Sequence, residues 1–183
     1  MKGRLLSIDV LRGLTIIFMI IVNQPGSWDH VYAPLLHAKW NGLTPTDYIF
    51  PMFLFIVGVS IVLSMSKRLN SVDKSSLIKK ILWRALKIYL VGLFLWIWPA
   101  FDLGNIRWTG VLQRISVVFL FCGLIYLFFK QKQQVYIAAT ILILYWIIMV
   151  FAPVPGIGVP DLSIPEKNWA HYIDSLYLPG YMW

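Results

Sequence analysis

The chain has 183 residues, of which 59% are hydrophobic and 13% are charged, and its net charge at pH 7 is +8. A soluble domain of this size carries about 25% charged residues and cannot hide so much apolar surface in its core. The basic residues lie in short segments between apolar runs, and not on one soluble face that would bind nucleic acid. We therefore predict an integral membrane protein in contact with lipid, with no nucleic-acid partner.

Five apolar stretches approach or reach the roughly 20 residues that a helix needs to cross a bilayer. They predict an all-α, polytopic membrane fold with about five transmembrane helices, at residues 5–22, 45–66, 77–98, 110–129 and 135–152. No polar linker is long enough to divide the chain, so residues 1–183 are predicted to form one domain. Residues 153–183 are rich in Pro, Gly, Trp and Tyr, which predicts a tail along the outer membrane interface.

The distribution of basic residues predicts the orientation of the helices. Lysine and arginine gather at the N-terminus and after the second and fourth helices, at Lys2, Arg4, Lys67, Arg68, Lys74, Lys79, Lys80, Lys130 and Lys132. Such an excess is typical of cytoplasmic segments. The N-terminus is therefore predicted to be cytoplasmic, with residues 23–46, residues 99–109 and the tail outside.

Polar residues inside the predicted helices are candidate ligand-binding groups, because each costs free energy in lipid unless it is paired or hydrated. Asp9 and Arg12 are three residues apart and share one face of the first helix, as an ion pair, as ligand-binding groups, or as both. Gln113 and Arg114 open the fourth helix. Arg114 either extends to the outer interface or points with Gln113 into the bundle.

The loop at residues 23–46 and the start of the second helix hold the densest group of polar residues. Its polar side chains include Asn23, Asp29, His30, His37, Lys39, Asn41 and Asp47, interleaved with Trp28, Tyr32 and Trp40. Thr44, Pro45 and Asp47 predict the start of a helix, with a cap, a proline at the first position and a carboxylate at the third. The two histidines are seven residues apart with no nearby Cys or Glu, so no metal site is predicted.

Several sequence blocks resemble the heparan-alpha-glucosaminide N-acetyltransferase family. They include Ile-Asp-Val-Leu-Arg-Gly at residues 8–13, His-Ala-Lys-Trp-Asn-Gly-Leu-Thr at 37–44, Phe-Pro-Met-Phe-Leu-Phe at 50–55, Gly-Val-Leu-Gln-Arg-Ile at 110–115 and Tyr-Ile-Asp at 172–174. The blocks follow the family order along nearly the whole chain. The histidine block is highly specific, whereas the first block is shared with other membrane acyltransferases.

The resemblance implies a membrane enzyme that moves an acetyl group from cytoplasmic acetyl-CoA to an amino-sugar or glycan acceptor on the other side of the membrane. It implies that His37 is the catalytic residue and Asn23 its partner. The amide of Asn23 would either orient the imidazole or donate to the developing oxyanion. We expect the substrate- or CoA-binding groups among Asp9, Arg12, Trp40, Asn41, Asp47, Gln113 and Arg114. A neutral imidazole suits the removal of a proton from an attacking amine, and formation of an acetyl-imidazole is the alternative.

Two other interpretations of the sequence stay open. Family members have about twice as many helices, so the chain is interpreted as an amino-terminal half, and it could be a non-catalytic half that acts by association. The second interpretation is a membrane transporter subunit, in which a substrate path is lined by Asp9, Arg12 and Arg114. The predicted location is the bacterial inner membrane, and a homo-oligomer is compatible with each interpretation.

Overall fold

A computed structural model of the protein describes residues 5–66, 68–69, 71–98, 101 and 106–178. Six α-helices account for most of these residues: α1 (Leu6–Asn23), α2 (Ile49–Ser66), α3 (Lys74–Ile97), α4 (Val111–Phe128), α5 (Gln131–Phe151) and α6 (Trp169–Tyr177). Three short 3₁₀ turns lie between α1 and α2, at Trp28–His30, Ala33–Leu35 and Pro45–Tyr48. The all-α prediction is confirmed. The predictions for Lys2, Arg4, Lys67 and residues 179–183 lie outside the described residues.

Four helical segments of the described chain are long and apolar enough to cross a membrane. They are Leu6–Asn23, Pro45–Ser66, Val111–Phe128 and Gln131–Phe151. The clearest case is α5, which has a mean hydropathy of 2.2 over 18 residues and no buried residue. Such an apolar surface is stable in lipid and not in water. The chain is therefore a multi-pass integral membrane protein.

The helix α3 is the fifth predicted span, and it differs from the other four because its first half is basic. The structure confirms a helix there, but the helix begins at Lys74, three residues before the predicted start. The earlier start is explained by Asp73, whose carboxylate caps the helix by accepting a hydrogen bond from the backbone N–H of Ser75 (3.0 Å). Two of its cations lie over aromatic rings: the Arg84 guanidinium is 5.1 Å from the ring centre of Phe119. The Lys87 ammonium is 5.2 Å from that of Trp83. Such contacts partly offset the cost of moving a cation away from water.

The chain divides into two compact units, Met1–Ser60 and Ile61–Trp183. In the second unit, α3 packs along α4 with the small residues Ala85 and Gly92 buried on α3 and Ser116 buried on α4. The hydroxyl of Ser116 donates a hydrogen bond to the backbone carbonyl of Ala85 (2.6 Å). Small residues and a hydroxyl that bonds across the interface are the usual means by which helices associate in lipid.

Gly92 lies where α3 and α4 approach each other closely. A Cβ atom at this position would lie 2.8 Å from the Cβ of Leu112 and 2.8 Å from Oε1 of Gln113. We expect Gly92→Ala to destabilise the protein by about 1–3 kcal/mol, the usual cost of overpacking. Gly58→Ala, also within a helix but with nothing within 4 Å of the new Cβ, is the control. The thermal midpoint in detergent should fall for Gly92→Ala only, and an unchanged midpoint would contradict the close packing.

The start of the predicted tail is folded onto the end of α5. The indole N–H of Trp169 donates to the carbonyl oxygen of Ala152 (2.8 Å), which directly follows α5. Asn168 is buried and caps α6, since its side-chain oxygen accepts from the backbone N–H of His171 (2.9 Å). The helix α6 is therefore held at the end of α5, and the interfacial location of the tail stays a prediction.

Candidate active site

His37 and Asp47 form the central contact of the polar loop in the first unit. Nδ1 of His37 lies 2.6 Å from Oδ1 of Asp47. The two residues are ten positions apart, and the chain brings them together by turning back between them. The side chain of His37 is 71% exposed and that of Asp47 is 22% exposed. The imidazole is therefore open to a substrate while the carboxylate behind it is partly covered.

The orientation of Asp47 is fixed by three further hydrogen bonds, all to its other oxygen, Oδ2. The donors are the backbone N–H of Thr44 (2.8 Å), the hydroxyl of Thr44 (2.9 Å) and the backbone N–H of Ala38 (3.3 Å). These bonds follow from the predicted start of the helix, with Thr44 at the cap, Pro45 next and Asp47 at the third helical position. Because Oδ2 is occupied, Oδ1 is left to accept from the His37 ring.

The contact with Asp47 selects the form of the His37 ring. An ionised carboxylate only accepts hydrogen bonds, so Nδ1 of His37 carries the hydrogen. In the neutral ring the other nitrogen, Nε2, then has a free lone pair. That lone pair can remove a proton from an attacking amine or can itself attack a carbonyl carbon. A similar pairing of histidine and aspartate orients the general base in Ser-His-Asp triads.

Gly42 allows the loop to turn back from His37 towards Thr44. Its φ angle is +134°, a conformation that residues with a Cβ rarely adopt. The glycine of the histidine block is thus explained by backbone geometry. Trp40 and Asn41, the other candidate ligand-binding residues of this block, are both exposed.

Asn23 is the last residue of α1, and its side chain bonds to its own helix. Its amide N–H donates to the backbone carbonyl of Met19 (2.9 Å). The His37 ring nitrogen Nδ1 is instead bonded to Asp47. Asp47, and not Asn23, therefore contacts the ring in the orienting position that one interpretation of the sequence gave to Asn23. Asn23 is exposed at the end of α1. His30 is also exposed, in the Trp28–His30 turn.

Asp9 and Arg12 form the ion pair expected from their spacing. The guanidinium nitrogen Nη1 of Arg12 lies 3.6 Å from Oδ1 of Asp9. The second nitrogen, Nη2, donates to the hydroxyl of Ser60 (3.0 Å), which links α1 to α2 within the first unit. No sequence pattern singled out Ser60, because a serine inside an apolar run has no motif of its own.

Gln113 and Arg114 differ in their surroundings although they are adjacent. Gln113 is 3% exposed, lies against Gly92 and donates to the carbonyl of Arg107 (3.4 Å). Its amide is therefore part of the packing between α3 and α4. Arg114 is exposed on α4. Of the pair, only Arg114 presents its side chain to the surface of this unit.

An apolar cavity of about 330 Å³ lies within the first unit. It is lined by Phe18 and Val22 of α1 and by Thr46 and Met52, among others. Thr46 immediately precedes Asp47 in the chain. The lining suits an apolar group more than a sugar. Within the described residues, no three His, Cys, Asp or Glu side chains cluster so as to hold a metal ion.

Comparisons with known proteins place the chain in a family. The profile described as "Heparan-alpha-glucosaminide N-acetyltransferase, catalytic" matches residues 4–171. The human heparan-alpha-glucosaminide N-acetyltransferase is 39% identical over 134 residues, which cover 70% of this chain and 20% of the human protein. The mouse protein of the same name is 37% identical over 133 residues, covering 69% and 20%. The chain thus matches about a fifth of the length of these relatives. It belongs to the heparan-alpha-glucosaminide N-acetyltransferase family of membrane transferases.

Proposed function

We propose that the protein transfers the acetyl group of cytoplasmic acetyl-CoA to the amino group of an amino sugar on the opposite side of the membrane. The observation that carries this proposal is the 2.6 Å contact between His37 and Asp47 in an exposed polar loop. Membership of an N-acetyltransferase family supports the reaction class. The bacterial inner membrane is the location that we propose.

In this proposal Nε2 of His37 accepts the proton of the attacking amine. The amine nitrogen forms a bond to the thioester carbonyl carbon, and the carbon–sulfur bond breaks to release the CoA thiolate. The proton on Nε2 then neutralises that thiolate. If the imidazole itself attacks first, the carbon–sulfur bond breaks, the CoA thiolate leaves and the acetyl group rests on Nε2. In the second step the amine nitrogen bonds to the acetyl carbon, the carbon–Nε2 bond breaks, and the amine proton passes through Nε2 to the thiolate. Both routes need the neutral ring with Nδ1–H held by Asp47.

In this proposal Asn23 contacts the substrate, whereas Asp47 orients the His37 ring. One amide hydrogen is directed to the carbonyl of Met19, so the second hydrogen is available to a substrate oxygen. A positioned amide that donates to a developing oxyanion contributes about 10²–10³ in rate. We therefore propose that Asn23 stabilises the oxyanion, while Asp9, Arg12, Trp40, Asn41 and Arg114 remain candidate substrate-binding groups.

A dual-label experiment in proteoliposomes tests the proposal against transport. The full-length protein is reconstituted with glucosamine inside the vesicles, and acetyl-CoA labelled with ¹⁴C in the acetyl group and ³H in the adenine is added outside. Vesicles with cytoplasmic segments outward should accumulate ¹⁴C-acetylglucosamine without ³H, and free CoA should appear outside. Entry of both labels together would indicate a transporter. Absence of acetylglucosamine from vesicles that hold folded, correctly inserted protein would contradict the proposed enzyme.

A further inference from the structure

A long apolar groove lies between α3 and α4 on the surface of the second unit. Its volume is about 620 Å³, and it is open along one side. Its walls are formed by Leu82, Leu86 and Tyr89 of α3 and by Val117 and Leu120 of α4, with Lys79 at one end. Leu82, Leu86 and Val117 are each more than two-fifths exposed.

Two polar groups that border the groove have partners in the protein. The hydroxyl of Ser116 donates to the carbonyl of Ala85 in the floor (2.6 Å). The hydroxyl of Tyr89 donates to the carbonyl of Trp108 at the end opposite Lys79 (3.3 Å). With these two hydroxyls satisfied and the rest of the lining mostly apolar, the groove gives ordered water few partners. It therefore suits a hydrocarbon chain.

The position of the groove along the helices matches one leaflet of a bilayer. Ile81 lies against Gly123 and Gly92 lies against Gln113, so α3 and α4 run antiparallel. The first turns of α3, with Lys79, are therefore level with the last turns of α4, a helix long enough to cross the membrane. The ten helical steps from Lys79 to Tyr89 rise about 15 Å. That is half of the roughly 30 Å hydrocarbon core.

The charge at the end of the groove indicates which lipid it favours. This is the lysine-rich end of the helix pair, where Lys74, Lys79 and Lys80 lie close together in the sequence. An ammonium at the level of the headgroups attracts an anionic lipid, and basic pockets between helices bind such headgroups. We infer that the groove between α3 and α4 binds one anionic phospholipid, with an acyl chain along Leu82, Leu86 and Val117 and its phosphate at Lys79.

Native mass spectrometry of the full-length protein tests this inference. The protein is released from nanodiscs that contain equal amounts of phosphatidylglycerol and phosphatidylcholine with identical acyl chains. We expect one retained lipid per protein, with phosphatidylglycerol favoured about fivefold. Lys79→Gln should remove this preference. Lys132→Gln, at an exposed lysine in the first turn of α5, is the matched control and should keep it.

A second variant tests the apolar groove independently of the Lys79 charge. Val117→Trp should fill the groove, so retention of both lipids should fall severalfold without a change in their ratio. Its thermal midpoint, measured in parallel, should stay near that of wild type because Val117 is an exposed wall residue. Equal retention of the two lipids by wild type, an unchanged preference in Lys79→Gln, or no retained lipid at all would overturn the inference. The last result would indicate that another protein segment covers the groove.

Discussion

His37→Ala should reduce the rate of acetyl transfer by about 10²–10⁴, the usual contribution of a positioned acid–base group. The loss is expected because Nε2 of His37 is the lone pair that the contact with Asp47 prepares. The measurement is the initial rate of CoA release by the purified full-length protein, with acetyl-CoA and glucosamine.

His30→Ala provides the matched control for this prediction. His30 lies in the same loop and is also exposed, but none of the described residues gives its ring a carboxylate partner. Its removal should change the rate less than twofold. If His37→Ala retained the wild-type rate, or if both variants lost activity equally, His37 would not be the catalytic residue. Family membership would then support only the fold and not the activity.

Asp47→Asn should lower kcat by about 10²-fold and leave KM nearly unchanged. The asparagine oxygen can still accept the hydrogen bonds from Thr44 and Ala38, so the loop should keep its fold. Its amide would donate to Nδ1 of His37, which would move the ring hydrogen to Nε2 and block the reactive lone pair. The change therefore affects the chemical step and not substrate binding.

Two further measurements distinguish this positioning role from a general loss of structure. Asp29→Asn changes another carboxylate of the same loop, which accepts no hydrogen bond from the His37 ring, and should leave kcat within twofold. Nitrogen NMR of the labelled histidines should place the ring hydrogen on Nδ1 of His37 in wild type and on Nε2 in Asp47→Asn. A rise in KM with unchanged kcat would contradict the role of Asp47.

The sequence predicts the helices of this fold well because a long apolar run in lipid can satisfy its backbone N–H and C=O groups within its own helix. The predicted boundaries are wrong where a helix starts with polar residues. The helix α5 begins at Gln131, four residues before the predicted position, and Gln133 accepts a hydrogen bond from the backbone N–H of Lys130 (2.9 Å). Asp73 has the same effect on α3. A search for apolar runs omits these first turns because capping residues are polar. It also missed the helix α6, which has only nine residues.

The candidate site was less predictable than the helices because it depends on which side chains meet. The sequence identified His37 and placed Asp47 among the binding candidates, yet the resemblance paired His37 with Asn23. The capping pattern from Thr44 to Asp47 was visible, but a capping carboxylate has two oxygens, and only the folded loop shows that Oδ1 accepts from the ring. Gln113 is the opposite case, since burial against Gly92 gives it a packing role that no motif reveals.

The measurement that tests the His37–Asp47 pair most directly is a double-mutant cycle on the rate of acetyl transfer. If Asp47 acts only through the ring, Asp47→Asn should have almost no effect once His37→Ala is present, so the double variant should be as slow as His37→Ala alone. Wild type, both single variants and the double variant are compared in the CoA-release assay. If the loss caused by Asp47→Asn persisted in full in the His37→Ala background, the two residues would act independently, contrary to the arrangement proposed for this site.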